Sequence, residues 1–362
     1  MSHFDNFVGT REVSDAHRFD TQALTLWLQD HMPGFEGPLE VEMFKGGQSN
    51  PTYKLNTPSK SYVMRAKPGP VAKLLPSAHA IEREYAVMKG LQSTAVPVAQ
   101  MHVLCEDESV MGRAFYVMEF VQGRVLWDQS LPGMTPTQRR DIYLEMNRVI
   151  AALHAVDPVA QGLGSFGKPG NYFDRQIGRW SKQYVASATQ PIAEMDKLME
   201  WLPAHMPASA RADITCIVHG DFRLDNLIFH PTEPKVLAVL DWELSTLGHP
   251  LADFSYHCMS WHIPPGSFRG IGGLDHAALG IPLEDEYIAL YCQRSGLTSL
   301  EALKPDWNFY LAYNMFRIAA ILQGIAKRVE DGTASSAQAK ASGAGARPMA
   351  ELAWLFAQRS TA

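Results

Sequence analysis

A chain of 362 residues with 46% hydrophobic side chains can bury a substantial core, as one large domain or as two lobes. Its 32 Lys and Arg against 38 Asp and Glu give a formal charge of -6 without a dense basic run, which argues against nucleic acid or an anionic membrane surface as the main partner. Lys, Arg, Asp, His or Pro breaks every apolar stretch short of a bilayer span, and the scattered Cys105, Cys216, Cys258 and Cys292 form no CxxC pair and follow no secretory leader, so a soluble cytoplasmic protein with buried thiols is expected.

Helical spacing of apolar residues runs over 19–31, where Asp20 or Thr21 can cap the start and Pro33 with Gly34 stops it. Short β-type runs follow at 39–44, 52–56 and 61–67, separated by Gly-Gly and Thr-Pro-Ser turns. A polar-capped helical pattern covers 77–92, and further strands are expected over 99–104 and 114–120. Past Gly123 the pattern turns helical, over 136–156, 173–188, 192–206, 283–295 and 307–330, around a strand-rich island at 216–242. A β-rich front and a helical rear predict an α+β fold of two lobes, 1–118 and 124–362, joined by a connector at 119–123, with the groove between them as the default ligand site. Residues 332–347, rich in Ala, Ser and Gly, read as a mobile surface linker, with a substrate lid as the second reading.

The island, IVHGDFRLDNLIFHPTEPKVLAVLDWE, carries the chemistry. Asp221 and Asn226 lie five positions apart on a short loop that runs into an apolar strand. HPTEP then turns the chain, and a second strand ends at Asp241, so a hairpin is expected to return Asp241 beside Asn226. Phosphoryl transfer needs a carboxylate to orient the attacking hydroxyl and take its proton, and hard oxygen ligands for magnesium. Asp221 fits the base, and Asn226 and Asp241 fit the metal ligands. Asp and Asn are common in loops for turn reasons alone, so it is the linked pattern of HxDxxxxN, hairpin and Asp that points to this chemistry. His219, two residues before the base, is expected to brace the loop by hydrogen bonding. His249, His257 and His262 do not repeat along one helix face and come with no cysteine or carboxylate pattern, so they are read as core or surface residues rather than metal ligands.

HGDFRLDN followed by LDWE resembles the catalytic and metal motifs of the aminoglycoside phosphotransferase and choline kinase-like superfamily, a branch of the protein-kinase fold. GGQSNPTY, IEREY, FYVMEFVQG, RQIGRW, GHPLADFSY, WNFYLAYNMFRIAAILQGI and the ASSAQA stretch are similar to one subgroup, the kinase-like domain that in some eukaryotic proteins is fused in front of an acyl-CoA dehydrogenase. The resemblance implies a bilobal kinase-like fold that uses ATP and Mg2+. Gly46, Gly47, Ser49 and Asn50 then belong to the loop over the phosphates, although Gly-Gly between strands also suits a plain hairpin turn. Arg65 stands where such kinases carry a phosphate-binding lysine, with Lys67 on the same strand face able to share or replace the role. Glu84 matches the acidic partner of that cation, an exposed helical charge being the plainer reading. Glu119 and Val121 fall in the hinge, where backbone groups would meet the base, so their identities do not choose between ATP and GTP. Asp253 matches an acidic residue that steadies the catalytic loop, a simple N-cap being the alternative.

The acceptor is expected to be a small molecule bearing a hydroxyl. Residues 261–289 lack the dense acidic wall that a polycationic antibiotic would call for. Arg175, Arg179, Arg269 and Arg317 could serve an anionic acceptor, with Tyr172, Trp180 and Trp261 as apolar surface, although any one of these arginines is more simply an ion-pair or helix-surface residue. The resemblance implies a hydroxyl on a hydroxyacyl chain, such as a 4-hydroxyacyl-CoA or a hydroxy acid, with an aminoglycoside or a choline-like amino alcohol as the alternative. A nucleotide-binding pseudokinase is the reading from another class: Arg65 in place of lysine favours it, and the intact Asp221, Asn226 and Asp241 set opposes it. The oligomeric state is not legible.

Overall fold

The structure, a computed structural model, describes residues 9–45, 50–68, 80–334 and 337–360. Strands β1 (Thr10–Arg11), β2 (Glu40–Phe44), β3 (Thr52–Asn56), β4 (Ser61–Ala66), β5 (Met101–Cys105) and β6 (Phe115–Glu119) form one antiparallel sheet in the order β1-β2-β3-β4-β6-β5. The Asp20 carboxylate accepts from the Gln22 and Ala23 amides and so starts α1 (Thr21–His31). Leu24 and Leu28 of that helix share a core with Tyr53, Leu55, Tyr62, Met64 and Val117 of the sheet, the alternate residues that the strand pleat sends to one face. α2 (Ile81–Leu91) packs against β5 and β6. It begins later than the helix expected over 77–92, of which residues 77–79 lie outside the described residues.

Downstream strands are short: β7 (Arg124–Val125), β8 (Cys216–Val218), β9 (Leu227–Phe229), β10 (Val236–Val239) and β11 (Thr246–Gly248). β9 pairs antiparallel with both β7 and β10, and β8 pairs antiparallel with β11. Gly123, just before β7, is required to be glycine, because a Cβ there would fall 2.3 Å from the Phe229 carbonyl oxygen. The chain forms two compact units, one of Met1–Trp127, Val159–Phe166 and Asp225–Ser245, the other of Asp128–Pro158, Gly167–Leu224 and Thr246–Ala362. The β9–β10 hairpin therefore belongs to the unit that contains the six-stranded sheet.

The second unit is helical: α3 (Pro136–His154), α4 (Tyr172–Ser187), α5 (Ala193–Ala204), α6 (Ala208–Arg211), α7 (Pro250–Cys258), α8 (His276–Leu279), α9 (Glu284–Ser295), α10 (Leu300–Leu303), α11 (Trp307–Glu330), α12 (Ala337–Ala344) and α13 (Ala346–Ser360). Thr135 and Gln138 close a capping box on α3, with Pro136 in the first turn where no amide is needed. α11 is buried over most of its length and receives α4, α7, α12 and α13, as expected of a helix apolar on most of its faces. The linker expected over 332–347 is corrected here: α12 and the start of α13 occupy most of it. The small residues serve close packing, since a Cβ added at Gly343 would fall 2.9 Å from Ala326 Cα on α11. All four cysteines are buried and free, and burial pushes their thiols up, as for small apolar side chains. Among the described residues no helix is long and apolar enough to cross a membrane.

Two histidines on or beside α7 are packed as neutral rings. His249 Nδ1 accepts the Leu251 amide at 3.2 Å while Nε2 donates to the Ser209 carbonyl at 3.1 Å, so protonation would destroy the cap. His257 Nε2 lies 2.8 Å from the Tyr287 hydroxyl. Burial pushes both down to about 4. The unfolded chain binds these protons first as pH falls, so stability is expected to be complete above pH ~6.5 and to decline down to about 4, by up to about 3 kcal/mol for each histidine. Urea unfolding between pH 7.5 and 4.5 checks this, with His257→Phe expected to flatten the slope.

Candidate active site

In the first unit, carboxylates from α2 and from the end of the β9–β10 hairpin converge on one guanidinium. Arg65 on β4 lies across from Tyr116 of β6 and Thr52 of β3. Its Nε sits 3.2 Å from Glu84 Oε2, an ion-pair contact whose N–H is not aligned for a hydrogen bond, and its Nη2 lies 3.2 Å from Asp241 Oδ1 and 3.4 Å from Glu243 Oε2. Glu84, in the first turn of α2, is 1% exposed and accepts from Asn50 Nδ2 at 2.8 Å and from the Tyr116 hydroxyl at 3.0 Å. Burial pushes Glu84 up, against the opposing pull of Arg65 and the Tyr116 hydroxyl. Burial would lower Arg65, but Glu84, Tyr116, Asp241 and Glu243 together hold it above its ordinary range. Lys67, just past the end of β4, pairs with Glu82.

The hairpin fixes the neighbouring groups. Leu227 pairs with Val239, and the Leu240 amide donates to the Asn226 carbonyl at 2.8 Å, which brings Asn226 and Asp241 to the same end of the hairpin. Asp241 has φ +63°, a left-handed backbone that Asp tolerates better than most residues. Three carboxylates around one guanidinium leave an excess of negative charge. The side-chain oxygens of Asn226 and Asp241 are hard donors suited to magnesium, and so few of them would leave most coordination positions to phosphate and water. Among the described residues no three His, Cys, Asp or Glu side chains converge as a metal cage.

In the second unit, Asp221 follows β8 on a loop held by α7. The Asp253 carboxylate accepts the His219 amide at 2.7 Å and the Gly220 amide at 2.8 Å, and lies 3.2 Å from His154 Nε2. Burial alone would raise Asp253, but the hydrogen bonds and charges of His154 and His219 outweigh it and hold it below its ordinary value. The Asp221 amide donates to His219 Nδ1 at 3.2 Å, the bracing expected of that histidine. Arg317 Nη2 donates to the Gly220 carbonyl at 2.7 Å and stacks on Tyr256. The Asp221 carboxylate itself accepts from the Tyr256 hydroxyl at Oδ1 and lies 3.2 Å from Arg223 Nη2 at Oδ2.

Of the residues singled out in the sequence, Asn50, Arg65, Glu84 and Asp241 meet in one cluster, with Asn226 joined to it through the hairpin, while Asp221 has its own set of partners. Gly46, Gly47 and Ser49 lie outside the described residues. Glu119 ends β6, its amide donating to the Gln100 carbonyl at 2.8 Å, and Val121 follows it half-buried. The N-cap reading of Asp253 is corrected: His249 is the cap, and Asp253 sits a turn inside α7. Sequence reasoning missed Arg223, Tyr256 and Glu243. Tyr256 had a legible signal, three residues after Asp253 and so on the same helix face.

Residues 40–303 match the family model described as "Phosphotransferase enzyme family". The chain belongs to that family. Acyl-CoA dehydrogenase family member 10 of Mus musculus is 50% identical over 326 residues, which cover 89% of this chain and 30% of that protein, so the chain spans less than a third of that relative. A crystal structure from Ralstonia eutropha, of a protein provisionally named an aminoglycoside phosphotransferase, is 66% identical with a TM-score of 0.87, covering 94% of this chain and 99% of that one. A thermostable mutant of an aminoglycoside phosphotransferase, in ternary complex with AMP-PNP and hygromycin B, shares the fold at 15% identity and a TM-score of 0.58, covering 92% and 98%. The phosphotransferase thus has the α+β, protein-kinase-like fold.

Removing the Asp253 carboxylate would leave two buried amides and His154 without their acceptor. Asp253→Ala is expected to lower the unfolding free energy by about 3 kcal/mol in urea titrations.

Proposed function

We propose that this phosphotransferase moves a phosphoryl group from magnesium-bound ATP to a hydroxyl of a small acyl-bearing molecule, a hydroxyacyl-CoA or a hydroxy acid. The observation that carries the reading is Asp221: its backbone is pinned through the adjoining amides by a buried carboxylate, and its side chain is held by Tyr256 and Arg223. A carboxylate so fixed is suited to orient a hydroxyl and take its proton. Arg223 and the Tyr256 hydroxyl keep it aimed, and Arg317 holds the preceding carbonyl.

Asn226 and Asp241 would hold the magnesium ion, which when bound offsets phosphate charge and orients the transferring group. Arg65 is the cation assigned to the nucleotide phosphates, steadied by Glu84 in the place of the usual lysine, and its planar fork can engage two oxygens at once. The family resemblance assigns Gly46, Gly47, Ser49 and Asn50 to the phosphate loop and the backbone at Glu119 and Val121 to adenine. AMP-PNP in the ternary complex of the related fold supports ATP as donor. The second reading, a nucleotide-binding pseudokinase, draws on the ion pair between Arg65 and Asp241, which ties up the proposed metal ligand.

Asp221→Asn is expected to lower acceptor-dependent ADP release on the order of a thousandfold while calorimetric binding of Mg–ATP is kept. Asp241→Asn should instead weaken the magnesium dependence of nucleotide binding. Unchanged turnover in Asp221→Asn would remove the assigned base, and tight Mg–ATP binding with no turnover on any hydroxyl acceptor would favour the pseudokinase.

A further inference from the structure

A cavity of about 330 Å³ opens in the second unit between α11, the loop joining α4 to α5, and the junction of α12 with α13. That volume lies within the range of small-molecule sites. It stands apart from the catalytic loop. Nine residues of α11 separate Arg317, which reaches the Gly220 carbonyl, from Ala326 on the cavity wall. Nine residues make two and a half helical turns, so the wall lies roughly 14 Å further along the axis and on the opposite face.

Small side chains make the opening. At Gly343 α12 comes down onto Ala326, and beyond that contact Ala326, Ala344 and Ala346 are too short to fill the space between the helices. The facing loop is held at both ends. Gln323 Nε2 donates to the Ser187 carbonyl at 2.8 Å and to Thr189 Oγ1 at 3.0 Å, and Arg347 Nη2 donates to the Pro191 carbonyl at 3.0 Å. A loop pinned on both sides keeps the opening preformed, which spares a ligand the entropy of ordering it.

The lining has a definite chemistry. Its charged residues are Lys340 and Arg347, and none of the described residues lining it is acidic. Arg347 spends one of its donors on a neutral carbonyl, Lys340 is exposed, and neither has a carboxylate partner among the described residues, so both charges stand uncompensated at the wall. Thr189 accepts from Gln323 and keeps its own O–H to donate. Ile192, Ala326 and Val329 supply apolar surface beside these polar groups.

We propose that this cavity is a second binding site, for a small amphiphilic anion: Lys340 and Arg347 take an anionic oxygen group, a carboxylate or a phosphate ester, and the apolar lining takes a short aliphatic chain attached to it. The inference does not depend on the phosphotransferase reading of Asp221. Paired cations suit either oxygen group and repel an amine, and burial of the chain distinguishes the ligand from a bare inorganic anion.

The test is calorimetry with Mg–AMP-PNP present, so that the nucleotide site is filled, using hexanoate, hexyl phosphate, inorganic phosphate, 1-hexanol and hexylamine as probes. Hexanoate or hexyl phosphate is expected to bind at least tenfold more tightly than the other three, and whichever binds better identifies the anionic group. Shortening the chain should cost up to about fourfold for each methylene removed. Lys340→Glu, at an exposed position, is expected to weaken the anion tenfold or more. Ala344→Phe, which fills the space from the wall and leaves both cations in place, is expected to do the same. Failure of both amphiphilic anions to bind, equal binding of inorganic phosphate or hexylamine, or unchanged affinity in Lys340→Glu would overturn the proposal; the last would assign the binding to another site, that of the acceptor included. Loss in Lys340→Glu with full affinity in Ala344→Phe would put the anion on the surface lysine alone and overturn the cavity as its site.

Discussion

One buried carboxylate organises the second unit. Asp253 is charged in a place where an unpaired charge would cost several kcal/mol, and it is tolerated because two backbone amides and a histidine converge on it. Those amides belong to the residues immediately before Asp221. The position of α7 is thereby converted into the backbone course of a loop that has little regular structure of its own. Tyr256, one turn further along the same helix, secures the Asp221 side chain, so one helix face sets both the main chain and the carboxylate. Packing behind it is close: Gly248 on β11 meets Tyr172 and Val218 at distances that leave no room for a Cβ.

The first unit solves a different problem, that of collecting like charges. Glu84 comes from a helix, Arg65 from a central strand, and Asp241 and Glu243 from the end of a hairpin, and the sheet register decides that they meet. Asn50 and Tyr116 add neutral donors to the most deeply buried carboxylate. Such a network has value when every member is satisfied, and each additional donor lowers the cost of keeping Glu84 out of water.

Much of this was legible in the chain. The hairpin at 227–239 could be read from two apolar runs and a Pro-rich turn, so the return of Asp241 toward Asn226 needed no tertiary knowledge, although the register shift between Val236 and Ala238 was not legible. The bracing role of His219 was local and equally readable. Other features depended on distant partners. Asn50 reads as part of a phosphate loop, and the partner its side-chain amide meets, Glu84, lies thirty-four residues on, where no local pattern announces it. Residues 337–344 looked flexible because Ala, Ser and Gly suit linkers; they are helical because the same small side chains allow close approach to α11. Arg317 was open between an anion ligand and a structural role, and its Nη2 donates to the Gly220 carbonyl, ninety-seven residues away in sequence. Composition reports what a segment can do in isolation, whereas these outcomes were decided by what packs against it.

The choice of arginine at position 65 has a further consequence. A lysine brought into such a buried site could surrender its proton and fall silent, whereas a guanidinium keeps its charge at every pH at which the protein stays folded. The cation that holds Asp241 therefore cannot be switched off by losing its proton. It can be exchanged, when another cation outbids the guanidinium for the carboxylate, which makes the cluster responsive to the ionic composition around it.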